Sequence, residues 1–367
     1  MTLTTPEALA AAGLVPPERV AALRAVAARY AVALTPAVAA LADAEDPADP
    51  IARQFVPHPD ELVLAPEERA DPIGDEAYAP VRGIVHRYPD RVLLKPLHAC
   101  PVYCRFCFRR ETVGPTGAGT LTDAELAAAL DYVRAHPEVW EVVITGGDPF
   151  ALAPRRLRAI TAALGSIEHV RVIRFHTRVP VVSPERVDAA LVAALRAPGR
   201  ATFVALHANH PREFSPAARA ACAQLVEAGI PMVGQSVLLA GVNDDPETLA
   251  ALMRAFVENR VKPYYLHHPD LAPGTGHFRV GLEQGQDLMR QLRGRVSGLA
   301  QPTYVLDIPG GHGKVPVGPG YLDRAGEGWT VTDPRGEPHA YPPLPDGRGG
   351  DCARDRPPKP AGRRPSS

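Results

Sequence analysis

From Arg91 onward, short apolar runs rich in β-branched residues alternate with longer stretches in which apolar positions recur every three or four residues. The runs fall at 92–97, 142–145, 170–175, 202–206, 232–239 and 263–267. Their lengths suit strands rather than helices. The stretches between them carry helix-start signals: Thr122-Asp123, Pro154, Ser183-Pro184, Ser215-Pro216 and Asp245-Pro246. Six strand–helix units in a row predict parallel strands joined by right-handed crossovers. The expected fold class is α/β, a partial (β/α)6 TIM-like barrel, because six units are too few to close an eightfold one. Ligands in such sheets gather at the carboxyl ends of the strands.

Ahead of this rhythm, Val20, Leu23, Val26, Ala27 and Tyr30 stand at helical spacing in an alanine-rich lead-in. A Pro- and acid-rich stretch at 46–75 reads as an extended connection. After the rhythm come an amphipathic helix over 282–297, a short apolar run at 304–308 and a glycine-rich turn. The tail is Pro, Gly, Arg and Ser, a composition that cannot bury a core. The expected divisions are a helical and extended N-terminal region at 1–90, a barrel core at 91–270, a C-terminal segment at 271–341 and a disordered tail at 342–367.

Composition narrows the function classes. The formal net charge of the 367-residue chain is −1, so nothing electrostatic argues for a nucleic-acid partner. No apolar run approaches the roughly 20 residues of a membrane span, and Met1 to Ala12 lacks the basic region of a signal peptide. A cytoplasmic protein with no membrane partner is expected. Lysine is scarce, occurring only as Lys95, Lys262, Lys314 and Lys359, which makes each one worth weighing. Of five cysteines, three lie within 100–107; that density suits a metal site in a reducing compartment better than a disulfide framework.

The triplet reads Cys100-Pro-Val-Tyr-Cys104-Arg-Phe-Cys107 and follows the first strand directly. Thiolates spaced this way can hold three irons of a [4Fe-4S] cube and leave the fourth open. Zinc would normally take a fourth protein ligand, and no nearby cysteine offers one. The open iron can chelate the amino and carboxylate groups of S-adenosylmethionine, and the spacing is similar to the radical S-adenosylmethionine (radical SAM) signature. The second strand ends in Thr145-Gly146-Gly147-Asp148-Pro149, where glycines permit close backbone approach. By itself that turn reads equally as an ordinary loop. In radical SAM proteins a similar turn binds the amino group of the cosubstrate.

Over roughly 49–321 the sequence resembles the lysine 2,3-aminomutase family. The resemblance is carried by His86-Arg-Tyr-Pro-Asp-Arg91, Cys104-Arg-Phe-Cys107-Phe-Arg109-Arg110, Thr145-Gly-Gly-Asp-Pro149 and His207-Ala-Asn-His-Pro211. Gln235-Ser-Val-Leu-Leu239, Gly241-Val-Asn-Asp244, Pro263-Tyr-Tyr265 and Pro309-Gly-Gly-His-Gly-Lys314 follow in order. It implies that His207, Gln235, Gly146, Gly147 and Asp148 serve S-adenosylmethionine, and that Arg87, Tyr88 and Arg91 line a pyridoxal 5′-phosphate pocket. Lys314, which its neighbours alone would mark as a loop lysine, corresponds to the family's Schiff-base lysine. Arg109 corresponds to the arginine that takes the substrate carboxylate, a bidentate task suited to a guanidinium. Asp270 and Asp307 match the pair that grips the distal ammonium of L-lysine, although each also reads as a helix cap or a strand-end turn.

The activity so implied is that of an isomerase moving the α-amino group of L-lysine to the β-carbon, supplied with electrons by an external donor of flavodoxin or ferredoxin type. The chain departs from the pattern in places. Clostridial-type members carry a zinc-binding cysteine where Asp245 stands, and the tail has only Cys352, so no zinc is expected and homo-oligomerisation is left open. Cys222 is expected to pack in the core. The segment Tyr264-Tyr-Leu-His-His268 is closer to the branch that makes (R)-β-lysine for elongation factor P. Three rivals follow: that branch's reaction, a 2,3-aminomutase acting on another amino acid such as glutamate, and a non-catalytic iron–sulfur protein.

Overall fold

The structure is a computed structural model that describes residues 1–114 and 119–342; the tail expected over 342–367 lies outside the described residues from 343 onward. Two compact units are present, Met1–Gly318 and Pro319–Ser367.

The first unit is built on one sheet whose strands follow chain order. They are β1 (Ile84–Tyr88), β2 (Arg91–Leu97), β3 (Glu141–Gly146), β4 (Val172–Thr177), β5 (Ala201–His207), β6 (Met232–Val237), β7 (Val261–His267), β8 (Thr303–Asp307) and β9 (Lys314–Pro316). Strands β2 to β8 pair in parallel. An antiparallel strand closes each edge, β1 on β2 and β9 on β8. The sheet is the expected partial TIM-like barrel, extended by one parallel strand. The apolar run at 304–308 supplies that seventh strand, reached through the helix Leu282–Arg293, so the sheet continues past residue 270.

Local chemistry sets most helix starts. Thr122 caps Asp123–Arg134 in a reciprocal capping box with Glu125, Ser215 caps Pro216–Glu227, and Asp245 caps Pro246–Glu258. Ser183-Pro184 behaves differently. Its hydroxyl donates to Glu185 instead of accepting from the backbone, only a single turn forms at Pro184–Arg186, and the helix Ala189–Leu195 starts under Asp188. The 46–75 stretch also contains a short helix, Pro50–Phe55, capped by Asp49.

Alternation along the strands separates two faces. Val92, Leu94, Ile173, Phe175, Val204, Leu206 and Leu266 are buried against the helices. The positions between them include Lys95, His176, His207, Gln235, His267 and Asp307, all half-buried and polar. A polar concave face is costly unless it lines a ligand cavity. Cys222 is fully buried, as expected. Among the described residues no helix is long and apolar enough to cross a membrane.

In the second unit, β10 (Leu322–Ala325), β11 (Gly328–Thr332) and β12 (Pro338–Tyr341) form an antiparallel meander.

Candidate active site

The loop after β2 brings Cys100, Cys104 and Cys107 to the wall of one cavity, together with Tyr30, Tyr103 and Arg110. Among the described residues no group of three His, Cys, Asp or Glu side chains is arranged to hold a single metal ion. A cubane makes a different demand, because each thiolate binds a different iron. Burial pushes all three thiols up, Cys107 to about 11. Three thiols that are reluctant to ionise unaided, sharing one cavity, fit a group that supplies the positive charge itself.

The N-terminal layer fixes this loop. Glu61, fully buried, accepts from Arg105 and Arg110, whose guanidiniums hold its carboxyl below the usual range against the cost of burial. Arg178 donates to the Sγ of Cys104 at 3.0 Å, and its other nitrogen is held by Gln54 at 2.6 Å and Glu213 at 2.7 Å.

The Gly-Gly-Asp turn has a clear steric reason. Gly146 has φ +108°, and a Cβ on Gly147 would fall 2.3 Å from the carbonyl oxygen of Ala99. The turn packs against the backbone entering the cysteine loop, with Gly147 N–H donating to Leu97 and Asp148 N–H to Ala99. The carboxylate of Asp148 is buried and accepts from Thr177 Oγ1 and from the backbone N–H groups of Phe150, Arg178 and Val179. Those four donors occupy it, so its side chain serves a ligand only by pinning the turn. This differs from a direct cofactor contact.

His207 and Gln235 end up on the concave face as neighbours in register on β5 and β6. His207 Nε2 lies 3.1 Å from Asn209 Oδ1, and Gln235 Nε2 lies 3.4 Å from His176 Nδ1. Burial, and Arg178 for His207 or Arg174 for His176, keep both imidazoles well below their ordinary value and therefore neutral. His176 Nε2 is buried with no hydrogen-bond partner.

On the other side of the same face, the Lys314 ammonium rests on the Asp307 carboxylate, 3.2 Å from His267 Nδ1. A tight turn joins β8 to β9 and places Lys314 opposite Asp307 in register. Gly313, φ +94°, lies under the Tyr88 hydroxyl, which accepts from the Lys314 backbone N–H at 2.8 Å. Asp270, in the loop after β7, lies close enough to Asp307 that burial and that second negative charge push its carboxyl up to about 7.

Arg109 donates to Asp75 at 2.9 Å, and the same carboxylate meets Arg87 at 3.2 Å and Lys95 at 3.6 Å. Three cations around one carboxylate leave positive charge uncompensated. The Nε–H groups of Arg87 and Arg109 are buried with no acceptor. Such orphaned donors fit anionic groups, a substrate carboxylate or a cofactor phosphate. With Lys314 as the amine on this face, the residues suit pyridoxal phosphate. Arg91 lies further out, stacked 3.9 Å from the Tyr88 ring centre and paired with Asp90.

Sequence reasoning missed Asp75, Lys95, His176, His267 and Arg178. A signal existed for three of them: Lys95, His176 and His267 are polar residues directly following a buried apolar residue of their strands. Asp75 and Arg178 sit in loops and had none.

Comparisons with known proteins give the family. A family model described as the radical SAM superfamily matches residues 94–253, and one described as lysine-2,3-aminomutase matches 289–332. The L-lysine 2,3-aminomutase of Acetoanaerobium sticklandii is 41% identical over 291 residues, 79% of this chain and 70% of that protein. That of Clostridium subterminale is 40% identical over the same shares of both chains. A glutamate 2,3-aminomutase of Clostridioides difficile is 34% identical over 309 residues, 84% of this chain and 72% of that one.

Proposed function

Because this chain belongs to the lysine 2,3-aminomutase family of radical SAM enzymes, we propose that it converts L-lysine to β-lysine with pyridoxal phosphate as second cofactor. The observation that carries this reading is the meeting of Lys314, Asp307 and Asp270 on one polar face with Arg109 nearby. A guanidinium and two carboxylates on this face would suit a substrate with a carboxylate at one end and an ammonium at the other. A glutamate-like side chain would face Asp270 and Asp307 with like charge, a mismatch costing several kcal/mol.

When bound, the cluster with S-adenosylmethionine would supply a carbon radical for hydrogen abstraction, and pyridoxal phosphate would supply a conjugated ring able to delocalise an unpaired electron. The protein's part is positional. Cys100, Cys104 and Cys107 would hold the cluster, and the turn at Gly146 and Gly147, with His207 and Gln235, would hold S-adenosylmethionine. Lys314 would join the second cofactor through its amine, with Tyr88 fixing the lysine backbone and Arg87 and Arg91 alongside. Arg109 is oriented by Asp75 through one nitrogen, and its Nε–H is left to receive the substrate carboxylate. Asp270 and Asp307 hold the far end, and binding energy from that remote ammonium places the β-carbon for reaction.

Anaerobic turnover of reconstituted protein with L-lysine, S-adenosylmethionine and reductant tests this, with chiral analysis of the product. β-Lysine and pyridoxal absorbance are expected, and the enantiomer shows whether the product matches the elongation factor P branch. Cleavage of S-adenosylmethionine with lysine unchanged would defeat the assignment. Asp307→Asn should lower kcat/KM for lysine by about 100-fold, the ~3 kcal/mol typical of unpairing a buried charge.

A further inference from the structure

We infer that His267 is a third, uncharged ligand of the substrate's distal ammonium and so a specificity-determining residue; this rests on the lysine reading above. The structure already contains an alkyl ammonium at that place. The Nζ of Lys314 sits on the Asp307 carboxylate, 3.2 Å from His267 Nδ1 and 5.7 Å from the centre of the Tyr265 ring. Lys314 thereby shows what any ammonium brought to Asp307 touches. Once its amine is engaged with the cofactor, the place is free for the ammonium of the substrate.

The chemistry of the cradle is a matter of counting donors. An alkyl ammonium carries three N–H groups, and a buried donor without an acceptor is expensive. Asp307 accepts one of them, and on the lysine reading Asp270 accepts a second. A third carboxylate would leave excess negative charge, since Asp270 is already pushed up to about 7 by burial and Asp307. An imidazole nitrogen accepts the third N–H without adding charge.

His267 is built for this position. It is the last residue of β7, on the concave face, and β8 lies beside it, so its ring reaches across to 3.8 Å from Asp307 Oδ2. Tyr265 stacks edge-on against it with ring centres 5.7 Å apart, which fixes the plane of the imidazole. Burial and the Lys314 charge hold it below its ordinary value, which keeps Nδ1 available as an acceptor. Three acceptors at fixed places select a primary ammonium: a terminal methyl leaves all three unpaired, and a trimethylated amine offers no donor.

The test compares L-lysine with L-norleucine, which carries a methyl in place of the ammonium, by calorimetric titration of the cofactor-loaded protein. His267→Leu is expected to weaken lysine roughly tenfold and to leave norleucine no weaker. His267→Asn should stay within about threefold of wild type for lysine, because Asn Oδ1 occupies the place of His Nδ1. Equal weakening of both ligands by His267→Leu would assign the ring a packing role and overturn the inference, as would unchanged lysine affinity. If the wild-type protein itself fails to bind lysine, the lysine reading falls, and this inference falls with it.

Discussion

The guanidinium of Arg178 lies 3.0 Å from the sulfur of Cys104, while Glu213 and Gln54 hold its other end. The arginine is almost wholly buried, with Phe55 and Phe106 against its faces at 4.6 and 5.3 Å. A fixed positive charge donating to a cluster sulfur favours the state with one more electron. Arg178→Met should therefore lower the midpoint potential of the reconstituted cluster, read by a redox titration followed by electron paramagnetic resonance. An unmoved potential with full iron content would reduce Arg178 to a structural tie.

The Lys314–Asp307 pair predicts an order of events. In the cofactor-free protein the Lys314 ammonium occupies the carboxylate that the proposed function assigns to a substrate ammonium. Lys314→Ala should bind L-lysine more tightly than wild type when neither carries pyridoxal phosphate, by roughly the tenfold that one charge-assisted contact contributes. Calorimetry on the two apoproteins decides it. Equal affinities would show that the two ammoniums do not compete.

Asp270 gives a pH signature. Its carboxyl is raised to about 7, so at pH 6 it is largely protonated in the free site. An arriving ammonium favours the charged form and lowers that value. Lysine binding should then release close to one proton per site at pH 6 and almost none at pH 8. For stability the sign is opposite to that of a salt-bridged acid. With a folded value above the unfolded one, ionisation weakens the fold as pH rises from about 4 towards 7, and the penalty is constant above that. Titrations in buffers of different ionisation enthalpy measure the proton count; equal release at both pH values would remove Asp270 from the ammonium site.

Gly147 tests the packing of the cysteine loop. Its missing side chain is what lets the Ala99 carbonyl approach, and a Cβ there would sit 2.3 Å from that oxygen. Gly147→Ala must push away the backbone one residue before Cys100. Iron and sulfide content after reconstitution should fall well below wild type. Full incorporation would mean that the loop yields without losing its ligands.

Much of this was legible along the chain because it is local. The strand rhythm, the Thr122, Ser215 and Asp245 caps and the cysteine spacing all depend on residues within a few positions of one another. Asp307 and Lys314 are separated by one tight turn, and register across β8 and β9 brings them face to face. The seventh parallel strand was harder to see, because a long connection and one more helix separate the 304–308 run from β7.

The sequence by itself determined the grouping of the three thiols, since residue type and near spacing set their chemistry, whereas it marked Lys314, Asp270 and Asp307 only through the family resemblance. Tertiary structure alone decided that Asp75 gathers Arg87, Lys95 and Arg109, that Arg178 reaches Cys104, and that His267 stands beside the Lys314–Asp307 pair. The physical reason is range. Periodicities of two and 3.6 residues record which side of an element faces the core. The partner of a buried charge is fixed only when the sheet curls and the N-terminal layer closes over the loop, bringing together groups 12 to 74 residues apart.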